Sequence, residues 1–253
     1  MNNIASASRF SLLILKAGLR DIKAFAVSLG FPLFMLFAFW ITTRDGSEES
    51  VELFEHIVPA IMAMAVMLPG QTQATRLVGW RERGTLRRLA LAPLPVPAAI
   101  AGISLSQTII AIFQGIVICL CCLIVSTTPL DIAGLLMIVV YLPLISLTFI
   151  ALGFLLSAFF KSSIITGYAY FAVFLPLFFL GSFPSEELPA QIGLIVPWFP
   201  TSMGINLIDI IFANSGPRAG SLFSVIGLLT YAIVFISAGI FLYKNKIRKG
   251  VLI

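Results

Sequence analysis

The sequence predicts an all-α integral membrane protein. It should have six transmembrane helices with both termini cytoplasmic, an N-terminal interfacial amphipathic helix, and an extracellular re-entrant helical segment between spans five and six. Three observations predict this. Hydrophobic residues make up 59% of the 253 and charged residues only 11%, against an ordinary charged share of about 25%; mean hydropathy is +1.06. Six apolar runs free of Asp, Glu, Lys and Arg are each long enough for the roughly 30 Å hydrocarbon layer. The charges between those runs are unevenly shared between alternate loops. The chain reads as one transmembrane domain, 1–253.

The first informative segment is 9–23. Arg9, Lys16, Arg20 and Lys23 fall within about 60° of one another on a helix of 3.6 residues per turn, and Phe10, Ile14, Leu15, Leu19 and Ile22 lie on the other side. That pattern suits a helix lying in the cytoplasmic interface, its basic stripe toward headgroups or a partner. No cleavable signal peptide and no lipidation motif is expected at the N-terminus.

The first span is expected over 24–43, with a kink at Pro32. An acidic loop, Arg44 to Glu55, follows, closed by His56. A lone histidine there is expected to be a capping or surface residue. The second span is placed at 57–75, with Pro69 and Gly70 near its end. The third, 98–125, carries Gln107 and Gln114, seven apart and on one face. Two roles are open to them: lining a pathway, or bonding between helices. Cys119, Cys121 and Cys122 lie in the same run without His or acid nearby, so they read as packing residues and no metal site is expected. The fourth span is expected at 132–160, with Pro143 inside. After a tight turn at Lys161–Ser163 comes the fifth, 164–181, aromatic and containing Pro176. Residues 182–217 are too broken by Pro184, Pro189, Pro197 and Pro200 to span and too apolar for a free loop. Two short helices there, about 188–196 and 202–212, should dip into the outer leaflet with their backbone covered by protein or water. The sixth span is 219–243, and the tail carries Lys244, Lys246, Arg248 and Lys249.

Charge sets the orientation. With both termini inside, fourteen of the sixteen Lys and Arg are cytoplasmic, all but Arg44 and Arg218. Nine of the eleven acids lie outside, all but Asp21 and Glu82. The opposite orientation reverses the bias. The net charge of +5 is thus accounted for by topology and anionic lipid, and no nucleic acid is expected as a partner. A bacterial-type plasma or inner membrane is the expected location.

One polar island, 76–97, stands out. It reads RLVGWRERGTLRRLALAPLPVP and holds Arg76, Arg81, Arg83, Arg87 and Arg88 with a single acid, Glu82. A short helix is expected from Trp80 to Leu91. Leu86 and Leu89 would share one face, and Arg81 and Arg88 one side. Pro93, Pro95 and Pro97 then force an extended exit. A rigid amphipathic element between two spans suits transmission of force from a docked partner. A plain charged loop that only orients the chain would carry the same charge.

The order of residues separates those readings. Arg81-Glu82-Arg83-Gly84-Thr85-Leu86-Arg87-Arg88-Leu89, then Ala92-Pro93-Leu94, resembles the coupling helix of ATP-binding-cassette (ABC) type-2 permeases, an E-R-E-x-G-T-L-like run followed by Leu and a small-Pro-Leu step. Glu82, Gly84, Thr85, Leu86, Leu89 and Pro93 match; Trp80 stands where that family often has an acid. Arg20-Asp21 with Pro32 is similar to the start of the family's first span. Leu180-Gly181-Ser182-Phe183-Pro184, Leu188-Pro189 and Phe199-Pro200-Thr201 resemble its extracellular re-entrant region.

The resemblance implies a permease subunit of an ATP-driven exporter, pairing with a second permease subunit as a homodimer or heterodimer. Two copies of a separate cytoplasmic ABC ATPase would dock on residues 81–89, with Arg9, Lys16, Arg20 and Lys23 as further ATPase or lipid contacts. ATP and Mg would be bound by that partner and no cofactor by this chain. The cargo it implies is hydrophobic or amphipathic: a drug, lipid, peptide or lipid-linked glycan. Phe171, Phe174 and Phe178, with Gln107 and Gln114, are candidates for lining the pathway, packing being the alternative.

The residues agree with that division of labour. The chain contains no G-x-x-x-x-G-K-[ST] phosphate loop, and its expected spans lack the buried ionisable group that ion-coupled transport ordinarily uses. An ion-coupled secondary transporter, which should show inverted repeats, is the first rival. A membrane enzyme lacks a catalytic constellation at membrane depth, so no catalytic residue is expected. A membrane anchor or sensor for a partner protein would use the same docking element.

Overall fold

The computed structural model describes residues 12–13, 16, 22–43, 48–85, 96–125, 132–183, 188–212 and 219–248. Nine α-helices and one 3-10 turn have both bounds among these residues. In chain order they are α1 Ile22–Thr42, α2 Glu48–Met67, α3 Pro69–Glu82, α4 Val96–Val125, α5 Ile132–Phe159, α6 Ser163–Ser182, α7 Ala190–Gly193, the 3-10 turn Val196–Trp198, α8 Pro200–Phe212 and α9 Ala219–Arg248. The long helices are apolar on nearly all sides, as helices placed between a protein core and hydrocarbon must be. Five stretches are long and apolar enough to cross a membrane: Ile57–Glu82, Ala99–Cys122, Leu136–Phe159, Ser163–Ser182 and Gly220–Asn245. α1 is 21 residues long, and its apolar part, Ser28–Thr42, is shorter than those five.

The acidic segment expected as a loop up to Glu55 is helical from Glu48 onward. The second span is also not one straight rod. Pro69 has no N–H to give the preceding turn, so α2 ends at Met67 and α3 restarts with proline in its first turn, where the missing donor costs nothing. In a straight helix the Met67 carbonyl would accept from the Gln71 N–H. Here that N–H turns to Leu68 O at 2.9 Å. The stranded Met67 carbonyl is taken instead by the Tyr170 hydroxyl of α6, 2.8 Å away and fully buried. Tyr170→Phe removes this donor and leaves a buried acceptor unmade, a loss of about 1–3 kcal/mol. Thermal unfolding of the detergent-solubilised chain should shift down accordingly; an unchanged midpoint would mean that another donor serves the break.

Packing centres on α5. Helices α2, α3, α4, α6, α8 and α9 all lie against it. The tightest crossing joins α3 and α5, where Gly70 and Gly153 allow the two backbones to meet, as small residues do between membrane helices. Polar side chains add bonds between helices. Gln73 Nε2 of α3 donates to Ser104 Oγ of α4 at 3.0 Å. Thr148 Oγ1 of α5 donates to Leu228 O of α9 at 3.1 Å, and Thr201 Oγ1 of α8 donates to Leu177 O of α6 at 2.7 Å.

Between α6 and α9 the chain forms the broken segment the prolines predict. Ala190–Trp198 and Pro200–Phe212 meet at a bend of 76°. α8 is no surface helix: Met203, Leu207, Ile208 and Ile211 are buried in the main core.

Candidate coupling site where four helix ends meet

The helix expected from Trp80 to Leu91 is not continuous. α3 carries the chain as helix through Trp80 and Arg81 to Glu82, so these residues end a span helix rather than begin a separate one. Gly84 then takes φ +66, the left-handed conformation that glycine adopts without a Cβ penalty and that closes helices one residue beyond the cap. Arg83 N–H bonds back to Gly79 O and Gly84 N–H to Arg81 O, both at 3.1 Å. Helical geometry resumes at Thr85. Leu86, Arg87, Arg88 and Leu89 lie outside the described residues, as do Arg9 and Arg20. Lys16 is exposed, and Lys23 lies in α1.

The two residues at the end of α3 reach across to the turn between α5 and α6. Arg81 Nη2 donates to the Ser157 carbonyl at 3.2 Å and to the Phe160 carbonyl, both at the C-terminal end of α5. Glu82 Oε1 accepts from the Ser163 N–H at 3.0 Å, the first N–H of α6. Ser162, the N-cap of α6, makes no side-chain cap bond of its own, so Glu82 supplies the cap from another helix. Both charges match the helix they touch. A helix C-terminus carries partial negative charge and stray carbonyls, and an N-terminus partial positive charge and stray N–H groups. One Arg-Glu pair thus clasps both ends of the α5–α6 turn. In this conformation Arg81 and Glu82, two residues of the expected docking run, both bond to the α5–α6 turn. Arg83, next in sequence, is exposed.

α9 joins the same point. Tyr243 and Ser157 share a hydrogen bond of 2.8 Å between hydroxyls. The Tyr243 ring stacks on Phe154 at 5.2 Å with 4° between planes. Beneath the clasp Leu77, Ile103 and Phe154 form a second, smaller core, with Trp80 and Ile100 packed against it. Ends of α3, α5, α6 and α9 are therefore tied together within the described part of the polar island, 76–85.

The pathway candidates fall elsewhere. Gln114 is fully buried, and its Nε2 donates to Ser28 Oγ of α1 at 2.9 Å, which makes it an interhelical bonder. Gln107 is buried as well. Phe174 is fully buried, edge-on to Phe149 at 6.0 Å and stacked on Tyr170 at 5.8 Å. Phe178 is buried and stacks on Phe174 at 5.4 Å. In this conformation both rings are packed against neighbouring aromatic side chains. Phe171 is partly buried against the same core. Among the described residues no group of three His, Cys, Asp or Glu side chains could hold a metal.

Apolar helices, a proline-broken second span and a bent segment before the last helix are shared by more than one transporter architecture. The family comparison decides among them: a model of the ABC-2 family transporter protein matches residues 40–241, most of the chain. The chain belongs to the ABC-2 transporter family. It is a multi-pass membrane protein of the ABC-2 permease type. Permeases of this family are membrane components of transporters whose ATPase is a partner subunit. No curated protein matches the chain at a significant level.

Residues that the sequence reading passed over carry the clasp. Ser157, Phe160 and Ser163 contribute backbone groups, which no side-chain motif announces. Tyr243 stands one residue before the basic tail and reads from sequence as an interfacial aromatic.

Proposed function

We propose that this chain is the membrane-spanning permease subunit of an ATP-driven ABC exporter. It pairs with a second permease subunit, and each docks a cytoplasmic ATPase that binds the ATP and Mg. The observation that carries the reading, beside family membership, is the clasp. The residues that hold the α5–α6 turn, Arg81 and Glu82, stand directly before the rest of the polar island in sequence. A push on residues 83–96 therefore reaches two spans at once, through Arg81 on α5 and Glu82 on α6. The chain need generate no motion of its own.

Both termini and the island face the cytoplasm in this proposal, and 182–217 dips into the outer leaflet. The docking surface is Arg83, Thr85, Leu86, Arg87, Arg88 and Leu89, with the leucines in an ATPase groove and the arginines setting orientation and encounter rate. The hydrophobic or amphipathic cargo meets the outward face of α6, where Ile164, Tyr168, Leu175 and Phe179 are exposed. Phe174 and Phe178 stand behind that face as its support.

Leu86→Asp tests the docking. The variant chain should retain its helical fold yet fail to co-purify with the ATPase and lose ATP-dependent transport in proteoliposomes. Normal ATPase capture by that variant would remove the docking claim. Solute movement by the isolated chain down an ion gradient would remove the coupling claim.

A further inference from the structure

α4 and α9 both pack on α5 and leave a cleft between them of about 510 Å3, within the roughly 300–1,000 Å3 usual for small-molecule sites. α5 supplies Leu147 and Phe154, α4 supplies Ile100 and Ser104, and α9 supplies Ile240 and Tyr243. No residue of α2, α3 or α6 lines it, so it is separate from the α6 face proposed for cargo.

Its chemistry is hydrocarbon with one charged end. The Ser104 hydroxyl donates to Ile100 O at 3.1 Å and accepts from Gln73 Nε2. The Tyr243 hydroxyl is engaged with Ser157. Water needs about two to four polar partners to be held in a cavity, and these walls do not offer them. Leu147 and Ile240, exposed by 39% and 43%, mark where the cleft opens on the outer surface of the bundle. Lys244 is the one charged residue of the lining. It is exposed, and it sits where α9 passes from its apolar run into the basic stretch Lys244, Lys246, Arg248 and Lys249. A change from apolar run to basic stretch is what a span end at the lipid headgroups is expected to show.

We propose that this cleft binds one acyl chain of an anionic glycerophospholipid from the surrounding leaflet, with the headgroup phosphate against Lys244. The lipid is a resident of the lateral surface, not cargo, and it lies against Phe154 and Tyr243 directly under the clasp. The assignment of the leaflet as cytoplasmic rests on the proposed orientation; the binding itself does not.

The test needs no ATPase, so it stands apart from the fate of the proposed function. The full chain is purified, delipidated in detergent, titrated with phosphatidylglycerol or phosphatidylcholine, and followed by native mass spectrometry. The parent should favour phosphatidylglycerol by roughly fivefold, the size expected of one basic side chain at a membrane surface. Lys244→Glu should abolish that preference. Ala101→Trp fills the cleft from an exposed lining position and should remove the tightest adduct, with an unchanged helical spectrum showing that the fold survives. Equal binding of the two lipids by the parent, an undiminished adduct in Ala101→Trp, or a preference kept in Lys244→Glu would each overturn the assignment. Release of the bound lipid on each ATP turnover by the assembled transporter would do so too, because it would make the lipid cargo.

Discussion

Arg81→Ala should uncouple the transporter while leaving its ATPase attached. The substitution strips two carbonyls at the end of α5 of their donor. Hydrogen bonds from a charged group are worth about 1.5–3 kcal/mol, and the loss falls on the joint through which a push on the island would reach α5. We expect ATP-dependent transport in proteoliposomes to drop at least about tenfold, which corresponds to about 1.4 kcal/mol at the coupling step. ATPase co-purification should be unchanged, because Arg81 faces the α5–α6 turn. Arg81→Lys should recover only part of the activity, since an ammonium is a point charge without the guanidinium's fixed fork. Loss of ATPase binding in Arg81→Ala would mean that Arg81 belongs to the docking face after all. Full transport by the variant would show that the clasp transmits nothing.

Gly153→Leu should give no folded protein. A Cβ on Gly153 would lie 2.0 Å from the Gly70 carbonyl oxygen and 2.9 Å from its carbon. A Cβ on Gly70 would lie 2.3 Å from the Phe149 oxygen. These neighbours are backbone atoms of α3 and α5 and cannot rotate aside, so the helices must separate along the central contact of the bundle. Overpacking at a well-filled site costs about 1–3 kcal/mol; a clash with main chain exceeds that and belongs with the rare changes above about 4 kcal/mol. The monodisperse fraction on size-exclusion chromatography in detergent should collapse for Gly153→Leu and fall clearly for Gly153→Ala. Gly30→Ala is the control, since a Cβ there meets nothing within 4 Å and alanine favours helix over glycine. A parent-like yield from Gly153→Leu would refute the close crossing.

Both effects lie where reading the chain alone was weakest. Pro69 signalled a disturbance near the end of the second span, but not that helix would resume and run to Glu82. The Arg-Glu-Arg-Gly run was legible as a special segment. Its reading as one helix placed Gly84 in a helix interior, although glycine is also the residue that most readily stops one. Gln114 was open between two roles until Ser28 was seen beside it, 86 residues away in sequence. Phe174 and Phe178 were open in the same way. An aromatic helix face looks alike in sequence whether it meets a core or a cavity, and only neighbouring α5 and Tyr170 distinguish them.

Composition and run length by themselves determined that the chain lives in a bilayer and where its long apolar helices run. The thickness of hydrocarbon and the need to satisfy every backbone group within it leave little choice. The order of residues around Gly84 carried a resemblance to the family that the match over residues 40–241 then showed. What only the tertiary structure decided is which backbone groups the polar side chains reach. Arg81 reaches a carbonyl 76 residues away, Glu82 an amide 81 away and Tyr170 a carbonyl 103 away. Each of these bonds exists because a helix end or a proline break leaves a backbone group without its local partner. Which side chain fills that vacancy depends on how whole helices pack, and no local pattern of residues encodes it.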